Sequence, residues 1–259
     1  MEPLKFAEWQ TIMPNWIISL PEKLQDIIFQ LFQTFVFADR YKLVLTGLKI
    51  TFIVTICALA MGIILGLIVA IVRTLYESYT ATKPPVILRA LNAISKLYLT
   101  IVRGTPMMVQ LLIMAFVIMV PVTETETIIC GIITLGINSG AYVAEIVRSG
   151  LMSVAKGQYE AGRSLGFSYI KTMWYIVIPQ AIKNILPALG NEMITLLKDT
   201  SLVSVIALRD VTKQIQNIQS ITYRALVPYI SLAIIYLVIV IFMTKLLEAF
   251  ERRLRKSEH

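Results

Sequence analysis

The stretch ITFIVTICALAMGIILGLIVAIV, residues 50–72, decides the fold class of this 259-residue chain, and it contains no Asp, Glu, Lys, Arg or His. A helix rises about 1.5 Å per residue and the bilayer core is about 30 Å thick, so roughly 20 apolar residues cross it. Residues 104–123 and 225–244 are equally free of charge, and residues 127–144 form a slightly shorter run. These repeated runs predict a multi-spanning membrane protein.

The composition agrees, with 57% hydrophobic and 15% charged residues and a mean hydropathy of +0.74. Membrane β-barrels alternate polar and apolar residues over about ten positions, whereas these runs are continuously apolar, so an all-α membrane protein is predicted. Cys57 and Cys130 lie inside apolar runs, and the only histidine is His259. This excludes most routes to a metal site, a disulfide framework or histidine-based catalysis, and no catalytic residue is predicted.

Charge asymmetry predicts the topology. Residues 73–103 have one acid, Glu77, against Arg73, Lys83, Arg89, Lys96 and Arg103. We interpret them as a loop in which Pro84 and Pro85 break any helix. Residues 121–127 carry only the acids Glu124 and Glu126. Since positive loops stay in the cytoplasm, the first connection is expected inside and the second outside, which places the amino terminus outside.

Following the chain, residues 145–186 are expected in the cytoplasm and a fourth span at 187–208, although Glu192, Lys198 and Asp199 make it the least hydropathic. A fifth span at 225–244 leads to a basic cytoplasmic tail. Five spans are therefore predicted, and insertion of residues 169–185 as a sixth is the alternative. The expected domains are an external or interfacial segment at 1–41, a transmembrane domain at 42–248 and the tail at 249–259.

The amino-terminal segment has an amphipathic pattern, and Ser19 followed by Pro21 and Glu22 predicts a capped helix start. Its apolar positions recur at helical spacing, at Leu20, Leu24, Ile27, Ile28, Leu31, Phe32 and Phe35. We expect a helix in the membrane interface. The alternatives are a short extra span and a contact with a partner.

The segment EAGRSLGFSYIKTMWYIVIPQ, residues 160–180, resembles the cytoplasmic loop of bacterial ABC importer permeases. That loop begins Glu-Ala-Ala, has a glycine six residues after the Glu, and ends Ile-x-Leu-Pro. This chain matches at Glu160, Ala161, Gly166, Ile176 and Pro179, while Gly162 replaces the second Ala and Ile178 the Leu. YLTIVRGTPMMVQ (98–110), NSGAYVAEIVRSG (138–150) and LLKDTSLVSVIAL (196–208) are similar to the polar amino-acid uptake branch.

The resemblance implies a type I permease subunit of an amino-acid importer, not an enzyme, in a bacterial inner or plasma membrane. A cytoplasmic coupling helix would dock into a separate ABC ATPase through Glu160, Ala161, Gly162, Arg163 and Gly166, with Gly166 permitting a sharp turn. It also implies a second permease subunit, identical or different, and an extracytoplasmic amino-acid-binding protein. Because the chain has no G-x-x-x-x-G-K-[ST] motif, ATP and Mg are expected at the ATPase, with no cofactor on this chain and no nucleic-acid partner.

Ionisable residues inside a bilayer usually face a cavity or a partner. Asp199 lies roughly 20 Å along a helix from residue 186, near mid-membrane. An amino acid presents an ammonium and a carboxylate, so the predicted binding residues combine a carboxylate with hydroxyl and amide groups: Asp199, Thr200, Ser201, Asn138, Ser139, Tyr142, Glu145 and Gln110. For Glu145, a salt bridge to Arg148 at i+3 is the alternative, and for Gln110 ordinary packing.

Two other function classes are the alternatives to this interpretation. A secondary transporter or channel would need no ATPase and often shows paired halves with broken helices, and no such repeat is evident here. An intramembrane enzyme would need a positioned nucleophile or metal set, which the sequence does not offer. Dependence of uptake on the ATPase discriminates between the transporter classes.

Overall fold

The computed structural model describes residues 4–79 and 83–256. Within these ranges every regular element is helical, which confirms the all-α prediction. In chain order the α-helices are α1 (Phe6–Ile12), α2 (Asn15–Ile18), α3 (Glu22–Leu31), α4 (Tyr41–Glu77), α5 (Val86–Gly104), α6 (Met107–Ile113), α7 (Glu124–Met152), α8 (Lys156–Ser164), α9 (Tyr169–Thr172), α10 (Ile178–Asp199), α11 (Val211–Thr222) and α12 (Leu226–Lys256).

The centre of the fold is the pair α4 and α7, and two glycines one turn apart bring them together. A Cβ on Gly66 would lie 2.6 Å from the Val143 side chain, and a Cβ on Gly62 would lie 3.0 Å from Ser139. Small residues four apart let helix backbones approach closely in membranes. The α4–α7 contact therefore fixes the positions of residues 139–144, which belong to the candidate site below.

Three helices in the described ranges are long and apolar enough to cross a membrane: Tyr41–Glu77, Glu124–Met152 and Leu226–Leu254. The helices Val86–Gly104 and Met107–Ile118 form a bent pair, and if this pair counts as one span the number of candidate spans rises to four. The runs at 50–72, 127–144 and 225–244 thus lie on long helices, as predicted. The prediction of five spans stays a prediction.

The run at 104–123 departs from the sequence-based expectation. Instead of one spanning helix, the chain breaks at Thr105, bends by 107° and continues as α6 and a π-helical turn, Met114–Ile118. Pro106 explains the break, because the residue before a proline is pushed out of the helical region, and Thr105 is extended at φ −122° and ψ 145°. The prediction that residues 73–103 form a loop is also wrong, since α5 occupies most of them. Pro85 precedes the first residue of α5.

The helix expected at 187–208 begins much earlier and ends sooner. A continuous helical stretch runs from α9 through a π-helical turn, Met173–Val177, into α10, and a 3₁₀ segment, Thr200–Ile206, follows Asp199. Pro187 lies inside α10 without ending it. Residues 169–185, considered above as a separate span, therefore belong to the same helical stretch.

Residues 4–39 form a small helical module rather than a single amphipathic helix. Trp9, Ile17 and Phe29 are its buried centre, and the rings of Trp9 and Phe29 lie 5.3 Å apart. Pro21 is the N-cap of α3, whereas the Ser19 hydroxyl donates to the Trp16 carbonyl, so the predicted serine cap is wrong. The module continues through a π-helical turn, Phe32–Val36, to the start of α4.

Candidate functional site

Two facing helices bring a hydroxyl and a carboxylate together in the middle of the fold. The Ser139 hydroxyl on α7 donates a hydrogen bond of 2.7 Å to Glu192 Oε1 on α10. Ser139 is fully buried, and Glu192 is partly buried. An unpaired charge at this depth is expensive, and a single hydroxyl compensates it only in part. The pair is therefore a candidate for binding a cation.

A cavity of about 450 Å³ lies between α7 and α10 and has Glu192 in its wall. Its lining combines aromatic, acidic, hydroxyl and amide groups, at Tyr142, Glu145, Ile146, Ser149, Gly150, Ser153, Asn184, Ala188 and Glu192. This size and mixture suit a small polar molecule. Of the residues predicted from the sequence, Tyr142 and Glu145 line the cavity directly, and Ser139 contacts it through Glu192.

Glu145, the second acid of the cavity, is surrounded by arginines. Its carboxylate lies 3.5 Å from Arg73, 3.6 Å from Arg103 and 3.5 Å from Arg148. Arg73 and Arg148 also pair with Glu77, at 3.6 and 3.8 Å. We call Arg73, Glu77, Arg103, Glu145 and Arg148 the charge cluster. It holds three guanidinium groups and two carboxylates, so Glu145 presents no free negative charge to the cavity.

The charge cluster also reaches the cavity through Arg103. Its guanidinium lies 5.7 Å from the centre of the Tyr142 ring, within the range of a cation–π contact. The side chain of Arg103 is 44% exposed, so it keeps open hydrogen-bonding capacity for an anion. Arg103 thus places a cationic group against Tyr142, a residue of the cavity wall that also contains Glu192.

Gln110 and Asn138 hold the bend of the chain rather than face the cavity. The Gln110 amide nitrogen donates to the carbonyls of Val102 and Thr105, at 2.8 and 3.1 Å, and to the Thr105 hydroxyl at 2.8 Å. Asn138 donates to Gln110 Oε1 at 3.0 Å. The Gln110 bonds satisfy the Val102 and Thr105 carbonyls, which the break after α5 leaves without helical partners, and Asn138 holds the Gln110 side chain in place. The packing alternative for Gln110 therefore fits this arrangement.

The predicted residues at 199–201 lie at the end of α10, away from the cavity lining. Asp199 is partly exposed and sits seven residues from Glu192, so the two acids share one face of the helix. Thr200 is fully buried and its hydroxyl donates to the Leu197 carbonyl at 2.6 Å. The Ser201 carbonyl accepts a bond from the Ser204 hydroxyl at 2.8 Å.

The segment predicted to couple to an ATPase contains a helix, α8. Gly166 follows it with φ +84°, a conformation that glycine adopts at little cost, which confirms the sharp turn. The Phe167 amide donates back to the Gly162 carbonyl at 3.2 Å and closes the helix end. Arg163 donates to the Phe167 carbonyl at 2.8 Å, so it stabilises this turn.

The small residues of α8 divide between two surfaces. Gly162 is buried, and a Cβ there would lie 2.7 Å from Thr172 and 2.8 Å from Ile176. The expectation that Gly162 contacts a partner protein is wrong, because the chain's own following helix packs against it. Glu160 and Ala161 are exposed.

Sequence reasoning missed Glu192 as a site residue and three arginines of the charge cluster as a group. The sequence indicated only part of this arrangement. The Arg73–Glu77 and Glu145–Arg148 spacings, i+4 and i+3, are visible along the chain, but the contacts between helices are not. Gly62 and Gly66, four residues apart, were a usable indication of where α4 and α7 meet.

Comparison with known proteins agrees with this architecture. The chain is 34% identical over 215 residues to the glutamine transport system permease protein GlnP of Escherichia coli (strain K12), covering 82% of this chain and 93% of that protein. It is 35% identical over 216 residues to the arginine transport system permease protein ArtQ of Bacillus subtilis (strain 168), covering 83% and 94%.

Solved structures agree as well. One described as a "crystal structure of an amino acid ABC transporter with histidines" matches with a TM-score of 0.73 and 42% identity, covering 82% of this chain and 94% of that one. The MetNI methionine ABC transporter, in inward-facing conformations, shares the fold with a TM-score of 0.67 at 18% identity, covering 83% and 97%. Residues 62–256 match the family described as "binding-protein-dependent transport system inner membrane component", and the chain belongs to that family.

Proposed function

We propose that this chain is the permease subunit of an ATP-driven importer for a polar amino acid and that the cavity between α7 and α10 belongs to its translocation pathway. The observation that supports this most is the Ser139–Glu192 pair, a partly compensated carboxylate beside a cavity of about 450 Å³. The names of the relatives, which include glutamine and arginine permeases, support the same class of cargo.

Cargo recognition follows from the charges around the cavity. Glu192 is the acid available for an ammonium group, because Glu145 is already neutralised by guanidinium groups. The carboxylate of the cargo is drawn toward the cationic side, where Arg103 lies over Tyr142. Asp199 adds a second negative charge farther along the same face of α10, with Thr200 and Ser201 next to it.

Energy reaches the pathway through α8. Its exposed residues Glu160 and Ala161 are available to a separate ABC ATPase, which binds ATP and Mg, while Gly162, Arg163 and Gly166 shape the helix and the turn after it. Since Gly162 packs against Thr172 and Ile176, a displacement of α8 is passed directly to the helical stretch that carries Glu192.

The remaining partners follow from the family. We propose two permease subunits, identical or different, around the pathway and an extracytoplasmic amino-acid-binding protein that delivers the cargo. The chain would lie in a bacterial inner or plasma membrane with its amino terminus outside and its carboxyl terminus in the cytoplasm.

Uptake of radiolabelled polar amino acids into proteoliposomes tests the proposal. With the binding protein outside and ATP at the ATPase, we expect uptake, and no uptake when the ATPase is withheld. Glu160→Gln should lower uptake and stimulated ATP hydrolysis together, whereas Ser164→Ala on the same helix should leave both near wild type. Uptake driven by an ion gradient without the ATPase would reject the proposal.

A further inference from the structure

The module at residues 4–39 has a buried apolar centre at Trp9, Ile17 and Phe29, but it also exposes a second set of apolar side chains and buries several glutamines. On α3 the exposed side chains include Leu24, Ile27 and Leu31, with exposed fractions of 47%, 44% and 42%. They are three and then four residues apart, so they form one stripe along the helix. We call these three residues the α3 stripe.

The opposite side of the same segment buries glutamines. Gln25 donates to the carbonyls of Ile18 and Leu20, both at 2.8 Å, and Gln33 donates to the Leu4 carbonyl at 2.7 Å. Gln25 and Gln33 are 7% and 3% exposed. A helix on the surface of a water-soluble domain would place such amides outward and the stripe inward, so water is not the medium that this surface fits.

A second part of the module repeats the pattern. Ile12, Trp16 and Ile18 are all exposed, on α1 and α2. Tryptophan is enriched where protein meets the boundary between lipid headgroups and acyl chains. Both exposed apolar surfaces therefore suit the same neighbour.

The module lies next to a helix that is a candidate for spanning the membrane. α3 packs beside the start of α12, where Arg224 donates to Asp26 at 2.5 Å and lies over the Phe29 ring. The first turns of α12, a membrane-spanning candidate, expose Leu226 and Ile230. The apolar surface of the module thus continues the lipid-facing surface of the spanning helices.

We infer that residues 4–39 form a membrane-associated helical module. The α3 stripe contacts the acyl chains of the membrane leaflet in which the Tyr41 end of α4 lies. The polar side of the module contacts both the start of α4 and the turn between α11 and α12. Arg40 contributes to this side, since its guanidinium is buried and donates to the Gln33 carbonyl at 2.6 Å. The module lies outside residues 62–256, so it is an addition to the part of the chain that matches the family.

Single nitroxide labels on the full permease complex in phospholipid vesicles test the inference. Labels at Leu24→Cys, Ile27→Cys and Leu31→Cys are compared with labels at Glu22→Cys and Lys23→Cys, two exposed charged positions on the same helix. The background carries Cys57→Ala because Cys57 is exposed, while Cys130 is buried and should not react. The background alone, treated with the same reagent, measures any residual labelling.

Collision with oxygen, which concentrates in acyl chains, is compared with collision with a water-soluble nickel chelate. We expect the ratio of oxygen to nickel collisions to be several-fold higher at all three stripe positions than at positions 22 and 23. Equal ratios would mean that the stripe faces water and would overturn the inference. Low collision with both reagents would mean that protein covers the stripe, such as a second copy of the chain, and would overturn it as well.

Discussion

Glu192 and Glu145 line the same cavity, yet their surroundings differ completely. Glu192, on α10, accepts one hydrogen bond from the Ser139 hydroxyl, whereas Glu145, on α7, lies within 3.6 Å of three guanidinium groups. A buried carboxylate whose charge is balanced holds helices together, whereas one left partly unbalanced can still attract a cation. In the function we propose, Glu145 therefore has a structural role and Glu192 binds the cargo.

The largest expected effect comes from removing the charge of Glu192. A hydrogen bond to a charged group contributes about 1.5–3 kcal/mol, so Glu192→Gln should lower the specific uptake rate about ten- to a hundredfold. Because Gln keeps the shape and can still accept from Ser139, assembly with the ATPase should not change. Uptake in proteoliposomes and co-purification of the ATPase measure the two properties. Uptake within twofold of wild type would remove Glu192 from the pathway.

The contact between α4 and α7 can be disturbed without touching either acid. Gly66→Ala would place a Cβ 2.6 Å from Val143 and 2.9 Å from the Ala144 nitrogen, so overpacking should cost about 1–3 kcal/mol of stability. Thermal unfolding of the purified permease measures this loss. Gly104→Ala is the matched control, because no atom lies within 4 Å of its added methyl group. An unaltered unfolding temperature in Gly66→Ala would contradict the packing.

Neutralising Glu145 should affect stability more than transport. Glu145→Gln leaves three guanidinium groups with only Glu77, which should cost about 1–3 kcal/mol of stability. A second substitution, Arg103→Met, removes one of the excess charges and should restore part of the loss. Thermal unfolding of the two single variants and the double variant gives a double-mutant cycle, which measures the interaction between the two side chains. Additive losses in the double variant would show that the two side chains do not interact.

Asp199 should show the smallest effect. It is partly exposed and lies two turns from Glu192, so its electrostatic contribution should stay below about 1 kcal/mol. Asp199→Asn should therefore lower uptake by less than about fivefold, while leaving ATPase assembly intact. Thr195→Ala, at an exposed position of the same helix, is the control. A loss as large as that of Glu192→Gln would move the centre of the cargo site toward Asp199.

The sequence predicted those features that depend on local order. Continuous apolar runs indicated the long helices, and the pattern around Glu160 indicated α8 and the turn at Gly166. The break at Thr105 was not predicted, although Pro106 indicates one, because a charge-free run such as 104–123 also fits a single spanning helix. The length of an apolar run alone does not show whether one helix occupies it.

The parts that were missed depend on contacts between distant segments. Ser139 and Glu192 are 53 residues apart, and Arg73 meets Glu145 across 72. Nothing in the order of the residues indicates such pairs until α4, α7 and α10 are packed. The structural role of Gln110 could not be predicted either, because the unpaired carbonyl that it satisfies exists only where the chain bends. Asn138 in turn donates a hydrogen bond to the Gln110 side chain.

Equilibrium binding of radiolabelled polar amino acids to the purified permease–ATPase complex, without the binding protein, tests the central claim most directly. Leaving the binding protein out means that its own preference for amino acids does not contribute. We predict that Glu192→Gln weakens binding at least about tenfold, whereas Glu145→Gln stays within about threefold of wild type. Binding that survives Glu192→Gln but is lost in Glu145→Gln would contradict the account.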